Sequence, residues 1–338
     1  MRPVRIAVDA MGGDYAPANP VEGALMAVEE EIAEVILVGR EREIKKELER
    51  IGKETKEIPV VQADEVIEMD ESPTTACRQK KNSSIMVATN LLKERKADAM
   101  VSAGNTGAVM VASLFVLGRI EGVSRPALVT ILPHPKGSTV LLDAGANVDC
   151  SPHHLVQFAI MGSLMASEAL GIKSPRVGLL SNGQEKGKGN EVTLAAYSLL
   201  EKTPLRFVGN VEGRDVFNGN VDVVVCDGFV GNAMLKFGEG LAEAFLEVMK
   251  KEIMASMRGR IGAWFIKPAL KKIVKLANYE EYGGAPLLGV NGVCFVCHGA
   301  SSAKAIKNAI RASRDFVLSG VNEKIKESIK TYGGEGVE

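Results

Sequence analysis

The chain has 338 residues, 46% of them hydrophobic and 25% charged, with a formal net charge of −1. That length can bury a large core, and a balance so near zero excludes a partner held by overall charge, such as nucleic acid. Aromatic residues make up only 5% of the chain, so the core must come from Val, Ile, Leu, Ala and Met.

The first strand pattern runs Val4–Asp9, followed by a helix over Pro20–Glu31, a strand at Val35–Val38, a charged surface helix at Glu41–Ile51 and a strand at Pro59–Gln62. Thr75–Lys93 reads as one long helix entered at Ser72-Pro73. A strand at Met100–Ser102 leads to a helix over Asn105–Leu117. Ala127–Leu132 and Thr139–Asp143 form a predicted hairpin across Pro-His-Pro-Lys-Gly. Ser151-Pro152 opens a helix to Leu170, with Gly171 as its C-terminal stop. The second half continues with strands at Val177–Leu180, Arg206–Gly209, Val221–Cys226 and Val293–Cys297, a helix at Glu191–Leu200, a long helical region from Ala233 to Leu276, and helices from Ala303 and Asn322. Such alternation predicts an α/β fold with an open, mainly parallel sheet, the 127–143 hairpin being antiparallel.

No run approaches the roughly 18–20 apolar residues of a spanning helix. No secretory pattern precedes Val4, which makes the cytoplasm the expected compartment. The cysteines number five, an odd count that argues against a disulfide framework. Cys294-Phe-Val-Cys297-His298 fits the haem-attachment spacing, but it lies in an apolar strand, where cysteines three apart face opposite sides. They read as core residues, and no metal is expected.

Repeatedly, an apolar run ends in a short loop of glycine with Asn or Asp: AMGGD after Asp9, AGNTG after Ser102, AGANVD at Asp143, SNGQEKGKGNE after Leu180, GFVGN after Asp227 and HGASS after Cys297. Open sheets bind ligands beyond the carboxyl ends of their strands, so loops of one style suggest one shared site. Their chemistry is mostly neutral donors, which suits an anion or a developing oxyanion. A dinucleotide fingerprint is missing after the first strand, and Gly183–Gly189 is one residue short of a P-loop and lacks its Ser or Thr. The His153-His154 pair starts a helix and reads as a feature of that start.

Asp9-Ala-Met-Gly-Gly-Asp14-Tyr-Ala-Pro17 resembles the opening of the bacterial phosphate acyltransferase family of phospholipid synthesis, the PlsX family. SAGNTGA (102–108), LLDAGANVD (141–149), KGNE (188–191), CDGFVGN (226–232), EYGGAPLLGVNG (281–292) and CHGASS (297–302) extend the resemblance over nearly the whole chain. Ser181-Asn182-Gly183-Gln184 departs from the Asn-Ile-Gly type of stretch such a family carries. The resemblance implies transfer of a fatty acyl group from acyl carrier protein to inorganic phosphate, with no cofactor. It also implies a homodimer, a Rossmann-like α/β/α fold related to phosphotransacetylase and isopropylmalate dehydrogenases, and a role beside a glycerol-3-phosphate acyltransferase.

With the resemblance, Lys188 and Asn232 are the expected catalytic residues: a lysine in a Gly-Lys-Gly-Asn loop as a point charge, and an amide donor after Gly231. Gly104, Asn105, Thr106, Gly107, Asn147, Gly189, Asn190, Asp227, Gly231 and His298 are the expected phosphate or thioester contacts. Asn232 also suits a helix cap; His298 suits a proton donor to the departing sulfur or, as an alternative, a buried histidine bonded to backbone. The alternative is a phosphotransacetylase acting on short acyl-CoA.

Between Lys250 and Lys275 basic residues outnumber a single Glu252, with Trp264 and Phe265 among them. Gly262 and Pro268 predict a break into two helices. Within a single 1–338 domain, residues 245–276 are expected to form a basic amphipathic hairpin. It would meet carrier protein or an anionic membrane through Arg258, Arg260, Trp264, Phe265, Lys267 and Lys271.

Overall fold

The computed structural model describes residues 2–52, 58–277 and 283–332, without the side chains of 269 and 271–277. The strands divide between two sheets. The first has the order β3-β2-β1-β4-β12-β11-β5. Its strands are β1 (Arg5–Asp9), β2 (Glu34–Gly39), β3 (Val60–Gln62), β4 (Ala99–Ser102), β5 (Ala127–Leu128), β11 (Ala285–Leu288) and β12 (Val293–Val296). The second has the order β6-β7-β10-β8-β9, from β6 (Thr130–His134), β7 (Gly137–Leu142), β8 (Arg176–Leu180), β9 (Arg206–Val211) and β10 (Val223–Val225). Pairing is parallel except where β11 meets β12 and β5, and where β6 meets β7.

The α/β alternation is therefore as the sequence predicts, and two expectations about strands are corrected. The single sheet is two, and the single strand over 127–132 is split at Val129. Ala127 and Leu128 pair with Leu288 and Leu287, while Thr130 and Ile131 pair with Leu141 and Val140. Val129 passes buried between the sheets and donates to the Pro286 carbonyl at 3.0 Å. Local sequence does not mark such a crossing, because the run keeps a strand pattern whichever sheet it joins.

Helices α1 (Ala18–Glu29), α2 (Glu41–Ile51), α6 (Pro152–Leu164), α7 (Glu191–Leu200), α11 (Ala303–Ser319) and α12 (Val321–Tyr332) flank the sheets, with a short α8 at Asp215–Asn218. α6 continues as a π-helical turn over Met165–Ala169. Ser151 caps α6: its Oγ accepts from His154 N, and the Ser151 N–H donates to His154 Nδ1 at 3.0 Å. His154 is thus part of a helix start. One apolar core joins both sheets, with Ile6 and Val8 of β1 in the same cluster as Val140, Leu142 and Val223 and the intervening Phe158 and Ile310. Cys294 and Cys297 fall into different clusters, and burial pushes both thiols up to about 12.

The long helix expected over Thr75–Lys93 is two, α3 (Pro73–Gln79) and α4 (Ser84–Lys93). Long-range bonds break it: Lys80 Nζ reaches the Val66 carbonyl at 2.7 Å and Glu71 at 2.6 Å, and Asn82 Nδ2 donates to Asp64 at 2.7 Å. After α5 (Thr106–Val116), the last surprise is the basic region. It does form two helices, α9 (Gly228–Met254) and α10 (Met257–Ala277), but they break at Ala255-Ser256, where Ser256 Oγ accepts the Gly259 N–H at 3.0 Å. Pro268 lies inside α10, and the break expected at Gly262 and Pro268 is absent.

Within α9 only Gly228 and Gly231 are buried. Phe237, Leu241, Phe245 and Val248 of α9 and Met257, Ile261, Trp264 and Phe265 of α10 are all exposed, Trp264 by 71%. These side chains have no core to enter. An apolar surface of this extent marks a place of contact.

Candidate active site

Two buried aspartates organise the loops at the strand ends. Asp9, the last residue of β1, accepts from Ser102 Oγ at 2.6 Å and from the Met11 N–H at 3.1 Å. Ser102 Oγ in turn accepts the Gly104 N–H at 3.1 Å. Asp143, after β7, gathers the N–H groups of Leu128, Gly145, Ala146 and Asn147, the last at 2.6 Å. Burial raises both carboxyl pKa values, and these hydrogen bonds oppose the rise. Each aspartate converts a glycine-rich segment into a defined loop.

Helix α9 then docks its first turn on the Asp143 loop. Asp227 caps it by accepting the Val230 N–H at 2.8 Å. The Gly228 N–H donates to the Asn147 carbonyl at 2.7 Å. A Cβ at Gly228 would sit 2.7 Å from the Asn147 oxygen, and one at Gly231 only 1.9 Å from the Asp143 carbonyl oxygen. The paired glycines are what let helix and loop backbones touch. Asn232, the next residue, stands against Gly145, whose built Cβ position is 3.5 Å from the Asn232 Cβ and Cγ.

Between these loops lies a cavity of about 440 Å³. Asp14 and Thr106 line it from the first sheet's loops, Ala144 and Gly145 from the second, Asn232, Lys236 and Glu239 from α9, and His298 and Gly299 from the segment after β12. It opens beyond the carboxyl ends of β1, β4, β7 and β12, as strand-end logic requires. Thr106 is the first residue of α5, so a helix N-terminus also faces the cavity. Lys236 pairs with Glu239 at 2.9 Å. His298 Nδ1 accepts the Ala300 N–H at 3.2 Å, which assigns its proton to Nε2. His298 is exposed, not buried.

Of the residues the sequence points to, Thr106, Asn232 and His298 meet in this cavity. Others build it from behind. Asn105 caps α5 by accepting the Ala108 N–H at 3.0 Å, and its Nδ2 donates to the carbonyls of Glu68, Met69 and Glu71. Asn147 donates to Pro126 O at 2.7 Å and to Asp143 at 2.8 Å. Both amides are thus engaged with protein. Gly104, Gly107, Asp227 and Gly231 hold the frame. Lys188, Gly189 and Asn190 sit on an exposed loop after β8 and do not line the cavity. Asn190 caps α7, accepting the Thr193 N–H at 2.9 Å. In this structure Lys188 and Asn232 do not line one cavity.

Lys236 is the residue sequence reading passed over. It lies four positions after Asn232 on a helix, a spacing that places both on one face. The sequence predicts a helical region beginning at Ala233, after Asn232, and so does not place the two residues on one helix, whereas α9 begins at Gly228.

The arrangement can do acyl chemistry without a covalent nucleophile. The cavity offers an amide, a hydroxyl, an imidazole N–H, a helix N-terminus and one cation within a single space. The Cys226 thiol behind it is buried, and desolvation raises its pKa well above the ordinary thiol value, so it is no nucleophile.

A profile of the fatty acid synthesis protein family matches residues 4–324. A phosphate acyltransferase of Pelotomaculum thermopropionicum is 57% identical over 333 residues, covering 98% of this chain and 97% of that protein. One from Geobacter sulfurreducens is 49% identical over 328 residues, covering 97% and 95%. Among solved structures, the EutD phosphotransacetylase of Staphylococcus aureus superposes with a TM-score of 0.63 at 16% identity, over 94% of each chain. A branched-chain phosphotransacylase of Enterococcus faecalis V583 gives 0.56 at 12% identity, over 92% of this chain and 98% of that one. These two likenesses speak for the fold. The full-length relatives go further, and the chain belongs to the phosphate acyltransferase family and is an acyltransferase that uses phosphate as acceptor.

Proposed function

We propose that the acyl donor is fatty acyl-[acyl carrier protein] and that the acyl phosphate product feeds phospholipid synthesis. The carrying observation is the polar cavity around Asn232, where Thr106, Lys236 and His298 meet beside Asp14 and Glu239, and which adjoins a helical hairpin studded with exposed apolar and basic side chains. Phosphate, with a second pKa of about 6 by analogy with its monoesters, is already anionic at neutral pH. One of its oxygens attacks the thioester carbonyl carbon, the C–S bond breaks, and the sulfur leaves as a thiolate that takes up a proton. The protein's part is to align the reactants, exclude water and hold the oxyanion. Asn232 donates to the carbonyl oxygen, Lys236 balances phosphate charge, and His298 is the proton donor to the departing sulfur.

The decisive experiment mixes the protein with hexadecanoyl-carrier protein, with and without phosphate, and traps product with hydroxylamine. Phosphate-dependent acyl hydroxamate is expected. Product from acetyl-CoA alone would instead make it a short-chain phosphotransacetylase.

Lys188 is proposed as a second cation, acting from the loop after β8. Lys188→Ala is expected to lower turnover at least about tenfold, as for removal of a charge that stabilises the transition state, with an unchanged melting temperature. Normal turnover in that variant, beside a collapse in Lys236→Ala, would leave Lys236 as the cation of the reaction.

We also propose that the hairpin, residues 245–276 of one domain, is the contact region. Trp264 and Phe265 pack edge to face, ring centroids 4.9 Å apart, both rings exposed near Arg258, Arg260 and Lys267; the Lys271 side chain lies outside the described residues. Their partners are acidic carrier protein and an anionic inner membrane face, where the glycerol-3-phosphate acyltransferase would take the product. No helix among the described residues is long and apolar enough to cross a membrane, so attachment would be peripheral, from the cytoplasm. Trp264→Ala with Phe265→Ala is expected to reduce co-sedimentation with anionic vesicles and binding of carrier protein; full retention of both would remove the hairpin from these roles. Phe237, Leu241 and Phe245, four apart on α9, form a stripe suited to a homodimer. Sedimentation of Phe245→Glu is expected to show monomer where the parent protein shows dimer, and an unchanged state would place the dimer elsewhere.

A further inference from the structure

A second, apolar chamber of about 290 Å³ adjoins the reaction cavity. Ile131 and Gly284 line both, so one side chain and one glycine form the partition between them. The chamber lies in the seam opened where the chain crosses from β5 to β6. Its walls are apolar: Met165, Ala169 and Leu170 on one side, Pro286, Phe295 and Phe316 on the other. Phe295 and Phe316 are buried and meet edge to face, centroids 5.8 Å apart. The polar groups at its rim are already engaged, Arg311 with Glu30 at 2.6 Å and Asp315 with Arg314 at 2.6 Å. Nothing there asks for a charged ligand.

Two details suggest that the space is built. The helix wall is the π-helical turn Met165–Ala169, a wide and costly winding that is found mostly where function needs it. At the partition, Gly284 has φ +80°, and a Cβ there would crowd the Val296 oxygen at 3.0 Å and Cys297 Sγ at 3.1 Å. A residue other than glycine would be strained and would push into the passage.

A fatty acyl thioester carries a polar reacting end and a hydrocarbon tail. Burying each methylene away from water is favourable, so a site for long chains needs a dry apolar extension. A smaller extension, beside Met110 and Leu287, measures about 90 Å³. That is less than a third of the larger chamber.

We infer that the acyl tail passes between Ile131 and Gly284 and lies in the larger chamber, with Met165 and Ala169 as the wall against which chain length is read. This inference rests on the proposed fatty acyl donor. Two measurements test it on the full chain.

In the first, hexadecanoyl-carrier protein with a diazirine at the chain end is photolysed with the protein and the labelled peptide is mapped. Label within 165–170 or 312–316 is expected; label confined to Met110 and Leu287, or to α10, overturns the inference. In the second, Ala169→Phe and Ala312→Phe fill the chamber. The ratio of kcat/KM for hexadecanoyl over butyryl donor is expected to fall at least about tenfold, since single methylenes in a pocket are worth about 10–200-fold. An unchanged ratio in a folded variant overturns it too. If the parent protein yields no acyl phosphate from either donor, the functional reading fails, and the photolabel alone decides the chamber.

Discussion

Replacing Asn232 with alanine is expected to lower kcat about a hundredfold, the usual cost of removing one oxyanion donor. Stability should not fall. Asn232 is exposed on α9, and its amide makes no hydrogen bond to another described residue. Alanine is moreover the better helix former. Asn232→Asp keeps the shape but is expected to fare as badly, because an ionised carboxylate only accepts hydrogen bonds and repels phosphate. The two substrates separate the possible roles: an oxyanion donor shows itself in kcat, a phosphate contact in the KM for phosphate. A kcat close to that of the parent enzyme would dismiss Asn232 from the chemistry.

The neighbouring residue predicts the opposite pattern. Gly231→Ala is expected to cost roughly 2 kcal/mol or more in stability, at the level of a severe overpacking. The added methyl carbon would fall 1.9 Å from the Asp143 carbonyl oxygen, a backbone atom that cannot swing aside. Either α9 lifts or the Asp143 loop yields, and both move Asn232 off Gly145, so activity should fall with stability. Gly240→Ala is the control on the same helix. A methyl there meets nothing within 4 Å, and the change is expected to gain about 0.5–1 kcal/mol from helix propensity alone. Thermal or denaturant unfolding of the pair checks both signs. Equal melting temperatures would mean that α9 is not seated on the 143–147 backbone.

The two variants separate what a site needs. On these expectations Asn232 contributes chemistry and hardly any stability. Gly231, Asp143 and Asn147 contribute no reacting group, yet they decide where Asn232 points. Asp143 illustrates the trade: burying its carboxyl is unfavourable in itself, and it is kept because N–H groups from four residues converge on it.

Much of this was legible in the chain. Alternating apolar runs and helical patterns announce an α/β fold because the periods of strand and helix are local properties. Glycine-Asn-Asp loops at strand ends mark the site's edge of the sheet for the same reason. Ser151 caps the helix it precedes, since a cap acts on backbone two or three residues away. The start of α9 is predicted at Ala233 with Asn232 suited to cap it, whereas Asp227 caps it and it begins at Gly228. Matching loops along the whole chain also point to the phosphate acyltransferase family.

What the tertiary structure alone decided is which of several similar residues serves which purpose. Asn105, Asn147 and Asn232 all follow a glycine-rich or strand-end stretch, and nothing local separates them. Asn105 is drawn to the carbonyls of residues 68–71 and Asn147 to Pro126 and Asp143, whereas Asn232 faces the cavity beside Lys236. The long helix expected over residues 75–93 broke because Lys80 and Asn82 found partners between residues 64 and 71. The strand over 127–132 crossed from one sheet to another with no Gly or Pro to mark the crossing, opening the seam that holds the second chamber. Local sequence sets the elements through short-range geometry; the site and its apolar extension depend on contacts between segments far apart in the chain, which only packing brings together.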